Sequence, residues 1–207
     1  MQLIMKNKKN ENTESLILEA AKSIFQTKGM DGARMQEIAD KAGINKAMLH
    51  YYYRNKQLLF EAVFKNAFSL LAPQLNTILN DDSTIEEKVI NFSSNYISFI
   101  AEHPYLPNFI IQELNRNPDF ILKMKESNGF PNLEKFKKQV AVEVEKGAIR
   151  KVKAAQLFIN ILALNVFPFI GKPLIKSLIS VDEEGFQQLI EERKTAVADF
   201  IINSIKI

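Results

Sequence analysis

Apolar residues along this chain recur every three to four positions and not every second one, and that periodicity confines the fold to helices. Leu16, Ile17, Ala20, Ala21, Ile24 and Phe25 fall at i, i+1, i+4, i+5, i+8 and i+9, one face of a 3.6-residue helix. No stretch alternates apolar and polar side chains for long enough to make a half-buried strand. The two turn dipeptides, Asp31-Gly32 and Asn128-Gly129, lie between helical patterns. An all-α fold is expected, with an N-terminal three-helix unit and a larger C-terminal helical domain.

The punctuation divides the pattern. Asn12 or Thr13 can cap the first helix, and Gly29 suits the left-handed residue that ends one. A short helix from Met35 to Ala42 is followed by Gly43-Ile44 and another from Asn45 to Tyr52. Two short helices around a glycine turn suggest helix-turn-helix. Further helices are expected near 56–79, 84–102, 104–115, 118–127, 132–146, 153–166, 168–180 and 182–205, with breaks at residues such as Pro104, Gly147 and Pro168. The helix starting at Lys56 should run out of the first unit without a linker.

Composition removes several functional classes. The 207 residues are 46% hydrophobic and 25% charged, a globular balance. The absence of cysteine excludes disulfides, zinc ribbons and a thiol nucleophile. The only histidines are His50 and His103, and no phosphate-binding glycine loop, His-Glu-x-x-His or serine elbow occurs. No catalytic residue, metal ligand or cofactor is assigned, and the chain is not expected to be an enzyme. Lys6, Lys8 and Lys9 follow the apolar start, the reverse of a secretory signal. The apolar run 157–170 is shorter than the roughly 20 residues of a membrane span. A cytoplasmic protein without membrane attachment is expected. Residues 1–60 hold ten Lys/Arg and six Asp/Glu, whereas fourteen of the fifteen phenylalanines start at Phe60. A small basic unit therefore precedes a larger aromatic one.

Within the basic unit, Leu18-Glu19-Ala20-Ala21, Phe25, Gly29, the run Glu37-Ile38-Ala39-Asp40-Lys41-Ala42-Gly43-Ile44, Lys46, Leu49, Tyr51-Tyr52-Tyr53 and Asn55-Lys56-Gln57-Leu58-Leu59 occur together. This stretch resembles the DNA-binding domain of the TetR family of transcriptional regulators. The resemblance implies a DNA-binding domain over 10–70, with its recognition motif at about 34–53. An eight-residue helix is about 12 Å long, and the major groove is about 12 Å wide, so its N-terminal end can face base edges. Gln36, Asn45, Lys46, Ala47 and His50 are the expected base-facing side chains. Lys46 can donate to guanine, Asn45 or Gln36 can pair with adenine, and Ala47 can touch a thymine methyl. Tyr51 and Tyr52 suit phosphate contacts. Lys56, first in its helix, adds charge to free N–H groups, and Arg34 stands where many members carry a hydroxyl cap. Asn45, Met48 and His50 also depart from the residues usual in the family. Tyr53, about 100° from its neighbour, is expected in the core. Lys6, Lys8 and Lys9 are either a basic arm on the DNA backbone or a frayed terminus.

The same resemblance implies that residues 71–207 bind a ligand and dimerise through the last two helices, giving a homodimer on a palindromic double-stranded DNA operator. Phe92, Tyr96, Phe99, Asn108, Gln112, Phe158, Asn160 and Asn165 are candidate pocket residues, with Phe109, Phe120 and Phe136 beside them. Asn160 and Asn165 stand out because amides in an apolar helix need partners. Without a basic cluster, a small hydrophobic or weakly polar effector is favoured. The expected function is a ligand-released repressor. The alternative is a helical small-molecule-binding protein or enzyme with no DNA role.

Overall fold

The computed structural model describes the backbone of residues 2–119, 122 and 131–207, and within these ranges the side chains from Asn12 onward. Among the described residues there are ten helices and no strand: α1 Gln2–Gly32, α2 Met35–Lys41, α3 Lys46–Tyr52, α4 Lys56–Asn80, α5 Ile85–Glu102, α6 Leu106–Arg116, α7 Glu134–Glu145, α8 Ala154–Ile170, α9 Lys172–Leu178 and α10 Glu183–Ile205. Contacts separate two compact units, Met1–Phe68 and Ser69–Ile207.

In the first unit, Ile17, Ala21 and Phe25 of α1 are buried together with Ile38, Ala39, Leu49, Leu59, Phe60, Val63 and Phe64. Phe25 meets Phe60 edge-on, with ring centroids 4.9 Å apart. Helix α1 begins at Gln2, well before the expected cap at Asn12 or Thr13. No glycine or proline precedes Lys28, and the intervening residues include many good helix formers, so nothing stops the helix extending. The side chains of Lys6, Lys8 and Lys9 lie outside the described residues. At Gly29 the backbone turns to φ 65° and ψ 177°, kinking α1. The α2 terminus is a Schellman closure: Ile44 N–H donates to Ala39 O at 3.0 Å and Gly43 N–H to Asp40 O at 3.2 Å. Gly43 takes φ 68° there, a conformation in which a side chain is costly.

In the second unit α5 packs against α8 and α10. Its start is a reciprocal capping box in which Thr84 accepts from Glu87 N–H and Glu87 accepts from Thr84 N–H. The core includes Ile85, Val89, Phe92, Ile97, Phe136, Leu157, Ile161, Phe186, Ile190 and Ile201. Pro168 does not end α8 as expected; the helix continues to Ile170 and breaks at Gly171. A proline at this position removes the N–H that would reach Leu164 O. The Arg193 guanidinium of α10 takes that place, donating to Leu164 O at 2.7 Å. The helix expected over 118–127 lies largely outside the described residues, as does Phe120. Among the described residues no single helix is long and apolar enough to cross a membrane.

Candidate nucleic-acid interface

Helix α3 is seated by one side chain. Leu49 is its only buried residue, while Lys46, Ala47, Met48, His50 and Tyr51 are exposed. Asn45 begins the helix as an N-cap, its Oδ1 accepting Met48 N–H at 2.7 Å, so the side chain that sequence offered to a base also holds the helix start. Arg34 is exposed and occupies the N-cap position of α2 without a side-chain cap bond. Gln36 is exposed and donates through Nε2 to Asp40 at 2.7 Å. Tyr51 is 81% exposed, and Tyr52, half-buried, meets it edge-on at 5.5 Å.

Long-range polar bonds brace this surface. Tyr53 is half-buried and its hydroxyl donates to Glu14 at 3.0 Å; burial, then the Glu14 hydrogen bond, raise its pKa above the ordinary tyrosine range. Lys28 of α1 donates to Glu37 of α2 at 3.0 Å. That hydrogen bond, outweighing desolvation, holds the Glu37 carboxyl below its ordinary value. Lys41 donates to Ser23 Oγ at 2.6 Å. Lys56, the first residue of α4, directs its ammonium at Asp31 O and Ala33 O, at 3.2 and 3.1 Å. It is half-buried and neutralises carbonyls at the end of α1. Sequence reasoning missed Glu14, Ser23, Lys28 and Glu37, whose partners are 9 to 39 residues away. No local pattern announces such pairs.

The eight candidate ligand residues are distributed differently from the expectation. Phe92 and Tyr96 are buried and stack with centroids 4.7 Å apart, and burial raises the Tyr96 hydroxyl pKa. Phe99 is half-buried against His103, and Phe158 is half-buried with its ring edge-on to Phe136. Asn165 is fully buried, donating to Ser93 Oγ at 3.2 Å and Ile161 O at 2.8 Å. Its Oδ1 is buried without a hydrogen-bond partner. Asn108 is half-buried, whereas Gln112 and Asn160 are exposed. Asn160 meets its polar needs in solvent because α8 has a second, open face carrying Ile159 and Phe167. Glu113, next to Gln112, is buried, as are Lys88 and Ser93, and sequence reasoning singled out none of the three. Desolvation raises the Glu113 pKa against the opposing hydrogen bond from Asn117.

Comparison with known proteins places this geometry. Residues 17–63 match the family model "Bacterial regulatory proteins, tetR family". The chain is 25% identical over 134 residues to the "Probable HTH-type transcriptional regulator YttP" of Bacillus subtilis, covering 64% of each chain. It spans about half the length of the next curated relatives. A TetR-family transcription regulator from Marinobacter aquaeolei shares the fold, with a TM-score of 0.67 and 17% identity over 97% of this chain and 98% of that one. AibR, solved with isovaleryl coenzyme A and operator DNA, gives a TM-score of 0.59 and 20% identity over 76% of this chain and 85% of its own. The matched stretch, residues 17–63, contains α2, the Gly43 turn and α3, so it is the helix-turn-helix unit of this chain that is similar to the TetR family of bacterial regulatory proteins.

Proposed function

We propose that this chain is a sequence-specific DNA-binding regulator, a dimeric repressor released from a palindromic operator by a small effector. The observation that carries the reading is the face of α3. A helix seated by Leu49 leaves Lys46, Ala47, His50 and Tyr51 outward, the arrangement needed to lay a helix in the major groove. Residues 10–70 form the DNA-binding domain in this reading. Arg34, Tyr51 and Tyr52 contact phosphates, Lys56 adds its charge at the start of α4 while its ammonium stays on the Asp31 and Ala33 carbonyls, and Gln36, Asn45, Lys46, Ala47 and His50 face bases.

Residues 71–207 bind the effector and dimerise. Phe92, Tyr96, Phe99, Phe158 and Asn165 are the candidates retained for an apolar ligand of weak polarity. Asn108 is at the margin, and Gln112 and Asn160 sit outside because of their exposure. Exposed Ile159, Phe167 and Phe200 on α8 and α10 supply the self-association surface. The effector favours a conformation in which the two recognition helices no longer match the half-site spacing, so DNA and effector oppose each other reciprocally. The protein acts in the cytoplasm and catalyses no reaction.

Selection of bound sequences from random double-stranded DNA tests the reading. Enrichment of a palindrome is the expected result. No enrichment at low salt, with the purified chain folded, would overturn it.

A further inference from the structure

We infer that His50 reads the operator as a hydrogen-bond acceptor, recognising the exocyclic amino group of an adenine or a cytosine in the major groove. The inference rests on the DNA-reading role proposed for α3.

The His50 Nδ1 lies 3.1 Å from the carbonyl oxygen of Arg54. A carbonyl has no proton to give, so Nδ1 carries the hydrogen and donates it. In the neutral imidazole the other nitrogen, Nε2, then holds a lone pair and can only accept. The chain beyond α3 thus selects the tautomer of a side chain on α3's exposed surface. Lys46 and Ala47 precede His50 by four and three residues, which places them beside it on one helical face. Lys46 offers only donors and Ala47 only a methyl. The Oδ1 of Asn45 already accepts Met48 N–H. Nε2 gives this face an acceptor that neither Lys46 nor Ala47 has.

In the major groove an acceptor is met by adenine N6 or cytosine N4, whereas guanine N7 and O6 present lone pairs. Each Watson–Crick pair has one such amino group, so position and strand define the contact. Lys46 and His50 therefore read opposite polarities, one seeking acceptors and the other an amino donor.

The test compares the palindromes selected by the wild type and by His50→Ala, whose equal urea midpoint would verify that the fold is intact. Preference should be lost at one position per half-site. At that position, adenine is replaced by purine, or cytosine by pyrimidin-2-one, removing only the amino group. In a second operator, the purine of the pair carries a 7-deaza substitution. Amino removal should weaken wild-type binding about 3- to 10-fold, the worth of one neutral hydrogen bond, and leave His50→Ala binding unchanged. The 7-deaza operator should bind both proteins normally.

The inference is overturned if His50→Ala alters no position, if only the 7-deaza operator loses affinity, or if amino removal affects both proteins equally. Failure of the wild type to select any palindrome would instead remove the DNA-reading role itself.

Discussion

At the scale of single residues, the partners of each polar group decide what it can do for a ligand. Lys46 is exposed and begins α3, so its charge is available to DNA. Lys46→Ala should cost about 1–3 kcal/mol of operator binding and relax one base position. Binding measured against a panel of single-base variants would show this; uniform loss across the panel would make Lys46 a backbone contact. Gly43 has a different role. A Cβ there would meet no atom within 4 Å, so the penalty of Gly43→Ala is that of a left-handed L-residue, about 1–2 kcal/mol. Thermal unfolding should reveal it, and an unchanged midpoint would discount strain at this turn. The glycine was legible in sequence because its conformation is local. The commitments of Asn45, His50 and Lys56 were not, because a residue's type does not tell which neighbour its polar atoms will meet.

At the scale of elements, helices and several caps follow from local chemistry, as Thr84 with Glu87 illustrates. The end of α8 does not, because a residue 25 positions beyond Pro168 supplies the missing donor. Replacing Pro168 by alanine restores an N–H to Leu164 O, after which Arg193 matters less. A double-mutant cycle of Pro168→Ala and Arg193→Met should therefore show coupling of about 1 kcal/mol; strict additivity would dismiss the exchange. The α4–α5 turn is also held from a distance. Buried Lys88 donates to Ile78 O at 3.0 Å, to Asp81 O at 2.9 Å and to the Asp81 carboxylate. Lys135 of α7 reaches Asn80 O at 2.7 Å and Asp82 at 2.6 Å. At Asp81, desolvation pushes the pKa up, but the hydrogen bonds from Lys88 and Ser83 and the Lys88 charge outweigh it and lower the value below 3.8. At Asp82 the Lys135 hydrogen bond is the largest cause of a downward shift. Folded-state values below the unfolded value mean that this stability is present above about pH 4 and is lost as pH falls further. Urea midpoints should decline in that acid range, and less steeply in Lys88→Met, which removes one source of the shift. An identical decline in the variant would exclude the Lys88–Asp81 clasp as a contributor.

At the scale of the whole molecule, palindromic reading depends on a second copy, and the second unit carries a surface suited to one. Ile159 is 54% exposed, Phe167 53% and Phe200 66%, on helices whose opposite faces build the core through Ile161, Ile190, Val197 and Ile201. Such side chains on a lone chain leave apolar area in water that self-association would remove. A two-fold pairing presents each of them to the same surface of a second copy. Sequence already showed more apolar positions in these helices than one core uses, but not which of them faced outward. Phe200→Asp tests the pairing, because it puts two charges at or near a self-complementary contact without disturbing a buried residue. Sedimentation should show the wild type as a dimer and the variant as a monomer, with helicity by circular dichroism unchanged. Operator affinity should fall by about 10²–10⁴-fold, the advantage lost when two half-sites are no longer engaged together, while binding to an isolated half-site changes little. A variant that stays dimeric and keeps full operator affinity would move the interface away from Phe200. A variant that becomes monomeric but still binds the palindrome as tightly would leave the dimer without a role in recognition.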